Sequence, residues 1–461
     1  MRSVSGLYEL TSLRNRVLFH RETGRFALID KDLVIEEKDY AVLTEKLRRY
    51  PRIEMFPGFK YGEGKITLSY MSARTCNMGC KYCFAGNGEY GNDPCKQKFF
   101  STEKYLEGFN KALEIYKSGV ERIDFFGGEP LLNFMEIKEF VPVVIKMCRE
   151  KGMQRPIFSM TTNGTLIDEE IASFLRKYHF RISISVDGPK RINDSARLFK
   201  GSMESAYESV KRCTQLLKNM GVLFNISVTI NNYHLKEYKK GSFPEMIEEI
   251  SDLGYENVSF VPAVTETEEL NISSKDSLEK LDVFTRDLIN YYFDKICEGE
   301  TRMIPSLLIL PIIQIAKHEY MRNCSAGKSF LWDTDGKAYP CQMFCNDKEF
   351  CIGSLEEGIN EDAVKNFLTY NREQTKECMD CIAKNVCSVW CKGIQYLSNH
   401  DIYKVCNERC VFQRAIVEES VLRLAYLREH PQKAEIFWNN YKRYQEKAGK
   451  DKEFYLMECE E

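Results

Sequence analysis

The stretch KITLSYMSARTCNMGCKYC (65–83) decides how this chain is read. Its first part, KITLSYM (65–71), reads as a β-strand. Its last part sets Cys76, Cys80 and Cys83 close together just beyond that strand. Three thiolates at this spacing can wrap one corner of an iron–sulfur cluster. A cubane has about four irons, so three ligands leave one iron open to a small molecule with its own nitrogen and oxygen donors. A zinc knuckle completed by a fourth ligand elsewhere is the alternative, although zinc sites usually arrive as paired Cys/His units.

Outward from this stretch, strand and helix alternate. IDFF (123–126), IFSMTT (157–162), RISISV (181–186), LFNISVTI (223–230) and NVSFVPA (257–263) read as five more strands. Leu106, Phe109, Leu113 and Tyr116 recur at helical spacing, with Gly119 placed to end that helix. Met135–Lys151 forms another, stopped by Gly152. Six strands with helical crossovers imply an α/β fold with a parallel sheet, curled as a partial (β/α)6 TIM-like barrel. The cysteine motif and the motifs described below all follow strands, at the carboxyl edge where such folds build their sites.

The flanks differ from this core. Residues 1–64 contain a hairpin at 16–30, turning at Gly24, and a helix at 36–49, too little to hold a core alone. The barrel is expected over 65–265, and a helical bridge over 266–320. A turn-rich cysteine region follows over 321–411, and a charged helical tail over 412–461. The chain has 461 residues, enough for two or three domains. A net charge of -3, with basic residues scattered along the chain, gives no reason to expect a nucleic-acid or membrane partner. The N-terminus lacks a signal peptide's apolar core, and SLLILPIIQIA (306–316) is too short to span a bilayer, so a cytoplasmic protein is expected. In that reducing setting, 18 cysteines point to metal ligation rather than disulfides. Cys95, Cys148, Cys213, Cys297 and Cys459 stand apart and are read as small apolar residues.

Further motifs follow successive strands: Gly127-Gly128-Glu129-Pro130, Thr161-Thr162-Asn163-Gly164, and Ser185-Val186-Asp187-Gly188, with Arg197 ten residues beyond Asp187. Alone, each has a plain reading as a turn, a helix entry or a solvated surface residue. Their shared position after successive strands argues against that reading for all of them together. With the three cysteines they resemble the radical SAM superfamily. The resemblance implies a 4Fe–4S cluster on Cys76, Cys80 and Cys83, with S-adenosylmethionine on its open iron. It also implies that Tyr82 lies beside the adenine, and that Gly127, Gly128, Glu129 and Pro130 hold the methionyl amino group. Thr162, Asn163, Ser185, Asp187 and Arg197 would contact the ribose and carboxylate. The chemistry implied is reductive cleavage of the cofactor and abstraction of a substrate hydrogen by a 5′-deoxyadenosyl radical.

Downstream, Cys324, Cys341, Cys378, Cys381, Cys387, Cys391 and Cys406 resemble the SPASM domain, which holds two auxiliary 4Fe–4S clusters. By resemblance, Cys324, Cys341 and Cys391 serve the first cluster, and Cys378, Cys381, Cys387 and Cys406 the second. Cys345 or Cys351 could complete the first set, or the site could stay open to a substrate thiolate. Cys410 rivals Cys406. A pair of structural zincs is the plainer alternative. The segment Cys324-Ser-Ala-Gly and Asp335-Gly-Lys-Ala-Tyr-Pro-Cys341-Gln-Met-Phe resembles maturases of ribosomally made, cysteine-rich peptides, which form thioether crosslinks. That resemblance implies a precursor peptide as substrate and a flavodoxin- or ferredoxin-type electron donor. Carbon–carbon crosslinking and formylglycine formation on sulfatases are the rival reactions. Formylglycine-forming relatives usually carry an Asp base where this chain has Gln342. A non-catalytic iron–sulfur carrier or a zinc-stabilised binding protein is the reading outside enzymes. Iron and sulfide at about twelve each per chain would separate three cubanes from zinc. The N-terminal hairpin could bind a leader peptide by strand addition, or be a packing extension.

Overall fold

The computed structural model describes residues 2–457, except 5, 12–15, 52–58, 92–96, 240–242, 256, 300–305, 319–323, 325, 346 and 371. Cys95 and Cys459 lie outside the described residues.

The chain opens with a four-stranded antiparallel meander: β1 (Arg2–Val4), β2 (Leu7–Thr11), β3 (Arg16–His20) and β4 (Arg25–Ile29). The expected hairpin is its second half. The helix Glu37–Arg48 follows. Six parallel strands then pair in chain order: β5 (Ile66–Ala73), β6 (Val120–Gly127), β7 (Ile157–Thr162), β8 (Arg181–Ser185), β9 (Phe224–Ile230) and β10 (Val258–Pro262).

The alternation of β9 shows how each strand serves two faces. Phe224, Ile226, Val228 and Ile230 are buried against helices, while Asn225, Ser227 and Thr229 are half-buried on the other side. That second face surrounds a cavity of about 410 Å³. Ser69, Asp124, Ser159, Ser183, Asn225 and Ser259, one from each of the six strands, line it. A cavity touched by all six strands requires the sheet to curve around it, as the partial barrel does.

The barrel sheet does not end at β5. β11 (Ser329–Trp332) pairs parallel with β5, and β12 (Lys337–Tyr339), β13 (Gly353–Ser354) and β14 (Gly358–Ile359) extend the sheet antiparallel. The cysteine-rich region therefore grows from the barrel's own edge. Arg74 and Asp333 bind this junction. Arg74 Nε and Nη2 each donate to one carboxylate oxygen of Asp333, at 2.7 and 2.5 Å. Their side chains are only 4% and 0% exposed.

The C-terminal region differs from a uniformly charged tail. The helix Asn407–Glu429 buries Phe412, Ala415, Ile416, Val417, Ser420, Val421 and Ala425. It packs on the helices Lys275–Cys297 and Ser306–Lys317, and on the meander. The helix Pro431–Leu456 then crosses the amino end of the barrel. There Tyr444 accepts a hydrogen bond from Asn257 Nδ2, 3.1 Å, and Met457 O accepts one from Arg155 Nη1, 3.0 Å. Among the described residues no helix is long and apolar enough to cross a membrane.

Candidate functional site

Cys76, Cys80 and Cys83 lie on the loop after β5, which is held from two sides. On one side it pairs with the segment after the helix Lys190–Ala196. Gly79 N donates to Leu198 O (2.7 Å), Lys81 N to Ala196 O (2.9 Å) and Lys200 N to Asn77 O (3.1 Å). On the other side Gly128 N donates to Ala73 O (2.8 Å) and Glu129 N to Thr75 O (2.9 Å). This approach requires glycine. A Cβ on Gly128 would stand 2.2 Å from Thr75 O and 2.8 Å from the Cα of Gly88. A Cβ on Gly127, whose φ is +154°, would stand 2.4 Å from Ala73 O. The GGEP turn is thus the mould against which the cysteine loop is cast.

Glu129 is 1% exposed and carries three protein donors. Its carboxylate accepts from Leu131 N (3.1 Å), Thr162 Oγ1 (2.7 Å) and Asn163 N (2.8 Å). Burial pushes its carboxyl up, against these hydrogen bonds and nearby Arg197. Asn163 in turn donates from Nδ2 to Asn77 Oδ1 at 2.9 Å, and faces the Cys76 sulfur at 3.9 Å. Glu129 therefore joins the GGEP turn to the Thr162-Asn163 turn, and Asn163 joins that turn to the cysteine loop. Pro130 is buried at the start of the 3-10 turn Pro130–Asn133.

Tyr82, Asp187 and Arg197 form a second chain. Tyr82 Oη donates to Asp187 Oδ2 (2.6 Å), and Arg197 Nη1 donates to Tyr82 Oη (2.9 Å). Asp187 is wholly buried at the end of β8, two residues beyond the half-buried Ser185. Burial pushes its carboxyl up, while Arg197, Tyr82 and His234 oppose that shift. Arg197 is 7% exposed, and its buried Nε has no hydrogen-bond partner among the described residues.

A cluster and S-adenosylmethionine both place demands that these features meet. Burial pushes the Cys76 thiol up to about 11, and Glu129, Cys80 and Cys83 push the same way. Such thiols ionise only when a cation compensates them, which is the condition a metal cluster meets. Three sulfurs on one loop suit a cubane with an open corner. The unpartnered, buried Arg197 Nε suits an anionic group such as a carboxylate. The residues present fit both groups.

Downstream, the cysteines fall into two sets. Cys324 and Cys391 share a hydrogen bond, which holds Cys324 down at about 6 and Cys391 up. Cys341 is their electrostatic neighbour. Cys345 lies instead near Arg74, Tyr90 and Tyr339, and the Cys351 thiol donates to Gly353 O at 3.3 Å. In the second set, burial raises the Cys410 thiol, and its thiol neighbours are Cys387, Cys381 and Cys378. Cys406 has other company. Its thiol faces Ile394 O at 3.8 Å, and its neighbours are Ser398, Glu408, Arg409 and Asn399. Cys410 thus has the other three thiols as its electrostatic neighbours and Cys406 does not, although both line the same cavity with Cys378, Cys381 and Cys387. A cavity of about 100 Å³ lies among these side chains, and its lining Arg409 Nε and Trp390 Nε1 are buried with no hydrogen-bond partner among the described residues. That surrounding suits an anionic cluster. Among the described residues no three His, Cys, Asp or Glu side chains meet at single-ion spacing.

The sequence reading passed over Asp124. Among the described residues it is the one carboxylate lining the barrel cavity, where it accepts from Ser159 Oγ and from Arg122 Nε. Its place in the alternation of β6, facing inward, was the available signal. Gln342 lines the same cavity.

Residues 70–250 match the model of the Radical SAM superfamily. The cysteine-type anaerobic sulfatase-maturating enzyme of Clostridium novyi (strain NT) is 24% identical over 379 residues, 77% of this chain and 95% of that protein. The radical SAM cyclopropyl synthase TigE of Paramaledivibacter caminithermalis is 29% identical over 171 residues, 34% of each chain. Among solved structures, native anSMEcpe with bound AdoMet superposes with a TM-score of 0.64 at 20% identity, covering 78% of this chain and 98% of the other. Streptococcus suis SuiB gives a TM-score of 0.51 at 13% identity, covering 87% and 97%. These structural likenesses are of fold. The matched segment carries the three cysteines, the GGEP cradle and the Tyr82–Asp187–Arg197 chain at one end of the barrel, and residues 70–250 of this chain are a radical SAM domain.

Proposed function

We propose that this chain is a radical SAM enzyme that modifies a cysteine-containing peptide. One observation carries the reading: the three-thiol loop, the Glu129 cradle and the unpartnered Arg197 Nε gather at the carboxyl edge of a barrel whose cavity can admit a side chain. Phe126 lines that cavity and packs in the same cluster as Cys83. The cluster and S-adenosylmethionine, when bound, supply a carbon-centred radical that removes a substrate hydrogen. Cys76, Cys80 and Cys83 would hold the cluster. Arg197 would bind the cofactor carboxylate, and Glu129 and Asn163 would fix the turns around it. Tyr82 would be positioned by its bonds to Asp187 and Arg197.

Two products are supported by different observations. Relatives named as sulfatase-maturating enzymes favour conversion of a cysteine to formylglycine. Gln342 favours thioether formation, since its amide cannot take a proton as a carboxylate does. The set Cys324, Cys341 and Cys391 has three thiols, and a substrate thiolate would complete it. Mass spectrometry of a cysteine-containing peptide treated with the reduced, cofactor-loaded enzyme separates the products. A thioether keeps sulfur and loses two hydrogens per link; formylglycine loses the sulfur. Accumulation of 5′-deoxyadenosine with no change in any such peptide would contradict peptide modification.

Three clusters are part of this reading, with Cys378, Cys381, Cys387 and Cys410 on the second auxiliary one. Cys410→Ser is expected to lower the iron content of the anaerobically reconstituted protein by about one cluster, while Cys406→Ser keeps the full complement. Equal loss from both variants would contradict this ligand assignment.

A further inference from the structure

The N-terminal meander reaches the second thiol set. Arg21, in the turn between β3 and β4, donates from Nη1 to Met379 O at 2.8 Å and to Cys381 O at 3.4 Å. Tyr8 Oη donates to the carbonyl between them, Asp380 O, at 2.5 Å. Arg21 Nη1 also donates to Tyr8 Oη at 3.2 Å, and Asn385 Nδ2 donates back to Arg21 O at 3.0 Å. Three consecutive carbonyls of the Cys378–Cys381 loop are therefore taken by side chains 358 to 372 residues away. Glu22 pairs with Arg21 at 2.8 Å and has Lys384 as a neighbour. This pairing offsets much of Arg21's charge and leaves its hydrogen-bonding geometry as its main contribution.

The rest of the meander is committed to the same place. Tyr8, Leu10, Val17 and Phe19 share a buried cluster with Ile382, Ala383 and Val386, the residues just beyond Cys381. Arg372, 1% exposed, donates from Nη1 to Cys387 O at 3.2 Å. Backbone carbonyls of two cysteine-bearing segments, 379–381 and 387, are thus held by arginine side chains distant in sequence or deeply buried.

We propose that the N-terminal meander braces the second auxiliary cluster's binding loop from behind, and that Arg21 is the positioning residue that clamps the Cys378–Cys381 loop in its ligating shape. This rests on the reading of Cys378, Cys381, Cys387 and Cys410 as cluster ligands. Arg21 Nη1 reaches Met379 O and Cys381 O while Nη2 is held by Glu22, so the planar guanidinium fixes its donors where an ammonium's three would rotate. Without it, water takes the loop carbonyls, the loop loosens, and solvent reaches the cluster more readily. Solvent exposure is one of the properties that tune such clusters.

The test uses the full, anaerobically reconstituted protein and a ferrous chelator. The release of iron is followed by absorbance in wild type, Arg21→Ala and Arg21→Lys. In Arg21→Ala, one cluster's worth of iron is expected to leave about tenfold faster, the factor that losing its hydrogen bonds to the two loop carbonyls supports. The remaining iron should keep the wild-type rate, and Arg21→Lys should fall between. The fast phase should vanish when Cys378, Cys381 and Cys387 are all changed to Ala in the same background. Uniform acceleration of all the iron would mean general loosening, and unchanged kinetics would mean no clamp; either overturns the proposal. A fast phase that survives the triple cysteine change would overturn it as well. Wild-type iron sufficient for fewer than three clusters would instead remove the ligand reading beneath it.

Discussion

Gly128→Ala is expected to strip iron from the first cluster while leaving most of the fold in place. The new methyl would stand 2.2 Å from Thr75 O, 2.5 Å from Thr75 C and 2.8 Å from the Cα of Gly88. All three obstacles are backbone, so no side chain can rotate away. Either the GGEP turn or the Thr75–Cys76 backbone must move, and each carries part of the site. A displacement of about 1 Å is enough to cost roughly 100-fold in a positioned reaction. Iron content of the reconstituted variant should fall by about one cluster, and 5′-deoxyadenosine formation should fall by about 100-fold or more. Thermal stability should drop by about 1–3 kcal/mol, the usual cost of overpacking. Gly449→Ala is the control, since nothing stands within 4 Å of its added Cβ on an exposed helix. It should be neutral or slightly stabilising. Wild-type iron and activity in Gly128→Ala would show that the loop tolerates the displacement.

Asp333→Ala is expected to destabilise the protein by about 3–5 kcal/mol. The carboxylate is wholly buried and takes both arms of Arg74, so its loss leaves a cation in the interior without its partner. Arg74 then keeps the carbonyl of Glu89 at 3.2 Å and the ring of Tyr90 at 5.6 Å. The penalty is that of the stranded charge rather than of the lost attraction. The double variant Arg74→Met, Asp333→Leu should therefore recover much of the stability. Denaturant melts of the wild type and the two variants measure this directly. Because Arg74 is two residues before Cys76 and Asp333 follows β11, Asp333→Ala should also loosen the first cluster. A single variant within about 0.5 kcal/mol of wild type would show that the pair is not the joint between barrel and extension.

The barrel was legible because its strands carry two signals at once. They alternate or run apolar, and the first four end on motifs that chemistry requires at a carboxyl edge. IFSMTT was expected as a strand at 157–162, and the structure gives Ile157–Thr162. β11 was harder to foresee. Ser329–Trp332 is a short segment in a cysteine-rich region, and its pairing with β5 makes it a strand of the barrel sheet. The helix Asn407–Glu429 mixes charged residues among its apolar ones along its whole length. Its apolar positions are spread around the axis, because helices and the meander cover it from several directions. A single apolar stripe, the usual mark of a packed helix, is therefore absent.

The candidate site was legible to the extent that it is local. The three cysteines lie on one loop, and GGEP and the Thr162-Asn163 turn meet that loop as successive strand ends. The downstream cysteines come from segments far apart in sequence, and spacing alone left Cys406 and Cys410 equivalent. A four-residue offset at the start of one helix gives them different surroundings. The role of the meander was likewise hidden, since Arg21 and Tyr8 become meaningful only beside Met379, Asp380 and Cys381. Removing residues 1–50 to probe leader binding would therefore also uncover the C-terminal core that Tyr8, Val17 and Phe19 complete.

The most direct measurement is an anaerobic assay of 5′-deoxyadenosine by chromatography, with reductant and S-adenosylmethionine, on wild type and on the Cys76→Ala, Cys80→Ala, Cys83→Ala triple variant. The predicted result is product from the wild type and none above background from the variant, which should still retain the iron of its two auxiliary clusters. Equal product from both, or no product from wild type that holds its full iron complement, the cofactor and a peptide substrate, would contradict radical chemistry at this site.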